Sequence, residues 1–187
     1  MTFNDKSDAF IFMKVGQHAG EDFESIIDRK QEEIRRTGMS FWGYGGATCH
    51  PLRQVQPFAK QVVEKKGSIY LCMERIHSFA DPDIIPATMY SVDGLNYSPI
   101  PEGINVTGSR YAIVLDEIIP EEFEIPLDAY EVGCGRSMGR PASSYIQGRV
   151  DKACLVLNTN RLADVSDRKK QISFVARMKE PYAVFVK

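Results

Sequence analysis

The chain lacks most of the signatures that name a chemistry outright. It has only three histidines, His18, His50 and His77, and no two stand at H-x-x-x-H spacing. Its four cysteines, Cys49, Cys72, Cys134 and Cys154, form no C-x-x-C pair. The recognisable zinc spacings are therefore missing, and the expectation is no metal and no cofactor. No G-x-S-x-G elbow, P-loop or dinucleotide fingerprint is present. No apolar run nears the roughly 20 residues that a membrane-spanning helix needs. The first residues, Met1-Thr2-Phe3-Asn4-Asp5-Lys6, do not read as a signal peptide. With unpaired cysteines, this predicts a soluble cytoplasmic protein with reduced thiols and no membrane partner. An excess of charge of one sign is also missing: the net charge is -2 and the pI about 6.0, so nothing pulls the whole chain toward nucleic acid.

What is present suits one globular domain over residues 1–187. Hydrophobic residues make up 43% and charged residues 26%, enough for a core without disulfide staples. Residues 9–15 (AFIFMKV) read as a buried strand and 20–37 as a helix with Phe23, Ile26, Ile27 and Ile34 on one face. Pro57 suits the first position of a second helix, ending at Gly67. Strands are expected over 68–76, 88–92, 95–98, 111–119, 151–157, 172–178 and 182–186. A weaker one over 123–132, interrupted by Pro126, reads as an edge strand. Asp93-Gly94 signals a two-residue hairpin, and Lys179-Glu180-Pro181 a second turn between strands. The pattern predicts an α+β domain with a mostly antiparallel sheet and two helices in the N-terminal third. A partly closed barrel is one form that such a sheet takes.

Three segments attract a functional reading. The first is Ser40 to Pro51, SFWGYGGATCHP, which holds the only tryptophan. Trp42 and Tyr44 are two apart, so an extended backbone points both to one face and Phe41 to the other. Flat rings beside Gly43, Gly45 and Gly46 suit a planar ligand, and His50 can titrate near neutral pH. The same residues equally suit a core tryptophan beside a turn and a bulge. The second segment runs from Val132 to Val150 and carries Arg136, Arg140 and Arg149, Ser137, several glycines and no acid. It follows seven acids and no base between Asp116 and Glu131. Guanidinium forks and free backbone amides suit a phosphate or carboxylate. The competing reading is a solvated loop paired with those acids. The third is His18, in the turn before the first helix, where a plain structural role is favoured.

Together these predict a binder of a small anionic planar ligand, a nucleotide or a molecule like one. Trp42 and Tyr44 would stack its ring, Gly45 and Gly46 would let it approach, and Arg136, Ser137, Arg140 and Arg149 would hold its phosphate. An enzyme on such a substrate is the alternative, with His50 and then His18 as general acid or base. Cys49, Cys134 or Ser137 becomes a nucleophile only if the fold joins it to a histidine. A protein-interaction module, including a homodimer, is the third reading. The binding hypothesis depends on Trp42 and Arg136 meeting across about ninety residues of chain.

Overall fold

The computed structural model describes residues 8–18, 20–45, 50–80, 85–147, 150–160 and 168–187. Gly46, Cys49 and Arg149, and part of the 77–86 connection, lie outside them. Among the described residues the fold is α+β, a large mixed sheet with three helices. No helix among them is long and apolar enough to cross a membrane.

Strand β1 (Ala9–His18) leads through α1 (Phe23–Thr37), β2 (Ser40–Gly43) and α2 (Leu52–Lys66) into β3 (Tyr70–Ala80). β1 and β3 lie side by side in parallel, with Ile11 opposite Leu71; among the described residues every other strand pairing is antiparallel. The remaining strands are β4 (Met89–Ser91), β5 (Ser98–Pro99), β6 (Tyr111–Pro126), β7 (Tyr130–Val132), β8 (Lys152–Leu157) and β9 (Lys169–Val186). The sheet runs β2-β6-β9-β3-β1-β8-β7, with β4 on β9 and β5 on β4. It ends at β2 and β7, so it does not close into the expected barrel.

Alternation along β1 decides what each face of the sheet packs against. Ile11, Met13 and Val15 turn to the side where α1 and α2 lay Phe23, Ile26, Leu52, Val55 and Phe58. Phe10 and Phe12 turn to the other side, under Leu127, Tyr130 and the short helix α3 (Ala142–Tyr145). α1 is well bounded. The Asp22 carboxylate accepts the Ser25 amide at 2.8 Å, and Gly38 at φ 77° closes the C-terminus.

Several expected boundaries move. α2 begins at Leu52, and Pro57 lies inside it rather than at its start. Leu52, Val55, Phe58, Ala59 and Val62 already form a helical stripe, and burying it outweighs the missing proline N–H. The expected hairpin at Lys179–Pro181 is instead a bulge within one 18-residue strand. Ile113 faces Ala183 and Leu115 faces Met178, so four β9 residues bulge out between these pairs, where Tyr182 sits at φ 68°. Both halves of β9 keep β6 as partner, which a hairpin would forbid. Pro126 ends β6, and Tyr130–Val132 alone supplies the edge strand. At Asp93-Gly94 the turn is wider than two residues. The Asp93 carboxylate collects the amides of Leu95 and Asn96 and the Ser91 hydroxyl, which holds its pKa well below the usual carboxylate range.

Candidate functional site

Two places gather the functional side chains. The first is a cavity of about 280 Å³ where the C-terminal half of β1, α1, the end of β2 and residues 105–109 meet. Its described lining includes Lys14, His18, Arg29, Lys30, Trp42, Gly45 and Lys152, with Glu21 and Asp151 as the carboxylates. Four cations against two acids leave it positive.

Lys30 is its most constrained member. It lies on the apolar stripe of α1, four residues after Ile26 and three after Ile27, and is only 3% exposed. Its ammonium donates to Glu33 Oε2 at 2.9 Å, to the Phe41 carbonyl at 2.7 Å and to the Asn105 carbonyl at 2.5 Å. Burial lowers its pKa from the ordinary 10.5 to about 8, although Glu33 opposes that shift. Glu33 also takes the Ser40 hydroxyl at 2.6 Å and Arg29 at 3.0 Å. Arg29 in turn grips Glu21 through two nitrogens. This network ties α1 to β2 and to residue 105.

Lys14 is less constrained. It is half-buried, and its ammonium donates to the Val150 carbonyl at 3.0 Å. Its pKa is lowered first by burial and then by Lys170, while Glu74 and Asp151 pull the other way. Lys152 pairs with Asp151 at 2.8 Å and stands 5.8 Å over the Tyr44 ring. Tyr44 itself has no exposed surface and packs against Tyr111. It points to the same core as Trp42, as the two-residue spacing requires, with Phe41 on the opposite face. Of the two aromatics, Trp42 reaches the cavity wall. The glycines accommodate the protein's own chain: a Cβ at Gly43 would stand 2.5 Å from Ser109 Oγ, and one at Gly45 2.8 Å from the Arg110 nitrogen. His18 exchanges two backbone hydrogen bonds with Glu21 in the turn before α1.

The second place lies where the N-terminal turn of α2 meets β8 and the loop after β7. There the donor atoms of His50, Cys134 and Cys154 all lie within 4.8 Å of one another. Pairing of β7 with β8 brings the cysteines together, and the Gly133 amide donates to the Cys154 carbonyl at 2.9 Å. His50 is 5% exposed and Cys154 fully buried, whereas Cys134 is half-buried. His50 Nδ1 stands 3.3 Å from Gln54 Oε1, and its Nε2 is buried without a hydrogen-bond partner. The Tyr145 ring stacks on the imidazole at 5.9 Å, and Arg140 lies 5.8 Å over the other ring in turn. Gly135, at φ 73°, leaves room for Gln54: a Cβ there would overlap its amide. The Cys134 thiol titrates well below its ordinary value. Hydrogen bonding with Cys154 lowers it most, burial opposes, and His50 adds to the lowering.

The structure thus divides the expected site. Trp42, Gly45 and His18 line the cavity. Arg136, Ser137 and Arg140 sit on the loop after Cys134, and none is among the described residues lining that cavity; Arg140 alone approaches His50, through the Tyr145 ring. Arg136 is exposed, and Arg140 donates to the Ser144 carbonyl at 3.2 Å. The join between a cysteine and a histidine is met, between Cys134 and His50. Sequence reasoning missed Lys14, Lys30, Lys152, Gln54 and Cys154. A signal existed for Lys30, a lysine inside an apolar stripe, but none for Gln54, whose role needs the tertiary approach of Gly135.

No family model, curated protein or solved structure matches the chain.

Proposed function

We propose that the protein binds a small anionic planar ligand, a nucleotide or a molecule like one, in the cavity beside Trp42. The observation that carries this reading is the shared wall: Trp42 lines the same 280 Å³ space as Lys14, Lys30, Arg29 and Lys152. That volume is near the lower end of ligand pockets, about 300–1,000 Å³, and favours one base with one phosphate over a dinucleotide. Lys152 is the leading partner for the anion: it stands opposite Met13, so it shares the sheet face of Trp42, and Asp151 is its ion-pair partner. Lys14 alternates to the Phe12 face, beside Glu74 and Lys170, and contributes field. Lys30 and Arg29 contribute field while remaining in their own network.

Thermal unfolding with nucleoside monophosphates and inorganic phosphate tests this. A ligand at a hundredfold excess over Kd adds about 2.7 kcal/mol. At about 2–4 °C per kcal/mol for a chain this size, the midpoint rises by roughly 5–10 °C. Lys152→Met should keep the fold and lose most of the ligand-induced rise, since the ion-pair partner it leaves behind, Asp151, is itself partly open to water. No rise with any compound, or an equal rise in Lys152→Met, counts against the reading.

A second reading is catalysis on the same class of compound, with His50 as general acid or base and Arg136 and Arg140 on the rim. The join of Cys134 to His50 favours it. Incubation followed by mass spectrometry separates the two, because a binder returns its ligand unchanged. A His50→Gln variant that binds but no longer converts would support catalysis; unimpaired conversion would remove His50 from it.

A further inference from the structure

We infer that His50, Cys134 and Cys154 form a binding site for zinc or another thiophilic divalent cation. This goes beyond ligand binding at the Trp42 cavity and rests on different residues. Two thiol sulfurs and one imidazole are the donor set that borderline-soft cations select over oxygen-seeking ones. In a tetrahedral zinc site, bonds of about 2.3 Å to sulfur and 2.0–2.1 Å to nitrogen place the donors roughly 3.5–3.8 Å apart. Here they lie within 4.8 Å of one another, drawn from three separate parts of the fold. Cys134 is half-buried on a loop, the one donor of the three with room to move inward.

The surroundings of His50 point the same way. A metal-ligating histidine commonly gives its second ring N–H to a carbonyl or carboxylate, which fixes the tautomer. Gln54 Oε1 stands at Nδ1, so a proton there leaves the Nε2 lone pair available. That Nε2 is buried and has no hydrogen-bond partner. A buried imidazole nitrogen left unmatched costs free energy unless something takes its lone pair, and a cation between it and two sulfurs does so. Tyr145 stacked on the ring and the Tyr111 hydroxyl on the His50 carbonyl at 3.0 Å hold the residue in that orientation. Three protein donors leave a fourth coordination position. Zinc sites with three protein ligands keep such a position for water or a substrate.

The test uses the whole protein, reduced and stripped with a chelator, then titrated with Co²⁺ and back-titrated with Zn²⁺. The expected result is one Co²⁺ per chain, with thiolate charge-transfer absorption in the near ultraviolet and d–d bands typical of tetrahedral coordination. Zinc should abolish both. Cys134→Ser, which keeps only the Cys154 thiolate, should show clearly less charge-transfer intensity at equal Co²⁺ while its far-ultraviolet circular dichroism stays that of the wild type. Gln54→Ala, which leaves all three donors, should weaken zinc about 10–100-fold, and Gln54→Glu should restore it. The wild type keeps the proposal falsifiable should a cysteine variant fail to fold. A folded, reduced wild-type protein that takes up no stoichiometric Co²⁺ overturns it. So does a Cys134–Cys154 disulfide that re-forms in air in the presence of excess zinc, or charge-transfer intensity in Cys134→Ser equal to that of the wild type.

Discussion

Lys30→Met should lower the unfolding free energy by about 3 kcal/mol, measured by urea unfolding followed through the tryptophan. Breaking a buried ion pair by removing one partner costs about 3–5 kcal/mol, because the other charge stays buried. The lower end applies here because Glu33, 4% exposed, keeps Arg29 and the Ser40 hydroxyl. The carbonyls of Phe41 and Asn105 also lose their donor. A loss under about 1 kcal/mol would mean that the network is not formed in solution. The same lysine sets a pH dependence. Its folded pKa of about 8 lies below its ordinary 10.5, so between those values the unfolded chain holds more protons than the folded one. Stability from this group therefore rises with pH across that window. The difference in unfolding free energy, wild type minus Lys30→Met, should grow from pH 8 to pH 10. A flat or falling difference would refute the assignment of a depressed pKa to Lys30.

Trp42→Ala should be as damaging or worse, at about 3–5 kcal/mol. The side chain is 4% exposed, and it packs in the core beside Ile26 and Ile113 while β2 pairs with β6. A loss of that size would obscure any binding measurement, so ligand stacking is better tested with Trp42→Phe, which keeps an aromatic wall. In the wild type, the sole tryptophan reports on both questions. Its emission should be that of a buried indole and should change when a nucleotide enters the cavity. Emission typical of water-exposed indole in the folded protein would contradict both the packing and the site. If Trp42→Ala unfolds at the wild-type urea midpoint, the packing argument fails.

Local physics made much of the fold legible in the sequence. The alternation over residues 9–15, the helical stripe after Phe23, the stop at Gly38 and the strand after Ser68 depend on neighbours within a turn or a pleat. Trp42 and Tyr44 share a face because a strand repeats every two residues. Pro57 misled because a proline is a strong local signal, whereas the stripe that begins at Leu52 matters only once it has a sheet to cover. The Lys179–Pro181 segment misled for the same reason: its turn residues are real, but both flanking halves are claimed by β6.

The candidate sites divide along that line. From its own residues, the chain determined an α+β domain, a tryptophan held among glycines and an arginine-rich loop without acids. Only the tertiary structure decided which of these meet. It placed Trp42 in one cavity wall with Lys30 of α1 and Lys152 of β8, and it left Arg140 over Tyr145 beside His50, with Arg136 exposed. It also set Cys134 beside Cys154 by pairing β7 with β8 and brought Gln54 under Gly135. These contacts are made between elements far apart along the chain, so residue type and spacing carry no record of them. They form because burying the two faces of one sheet leaves few ways to arrange what lies at its edges.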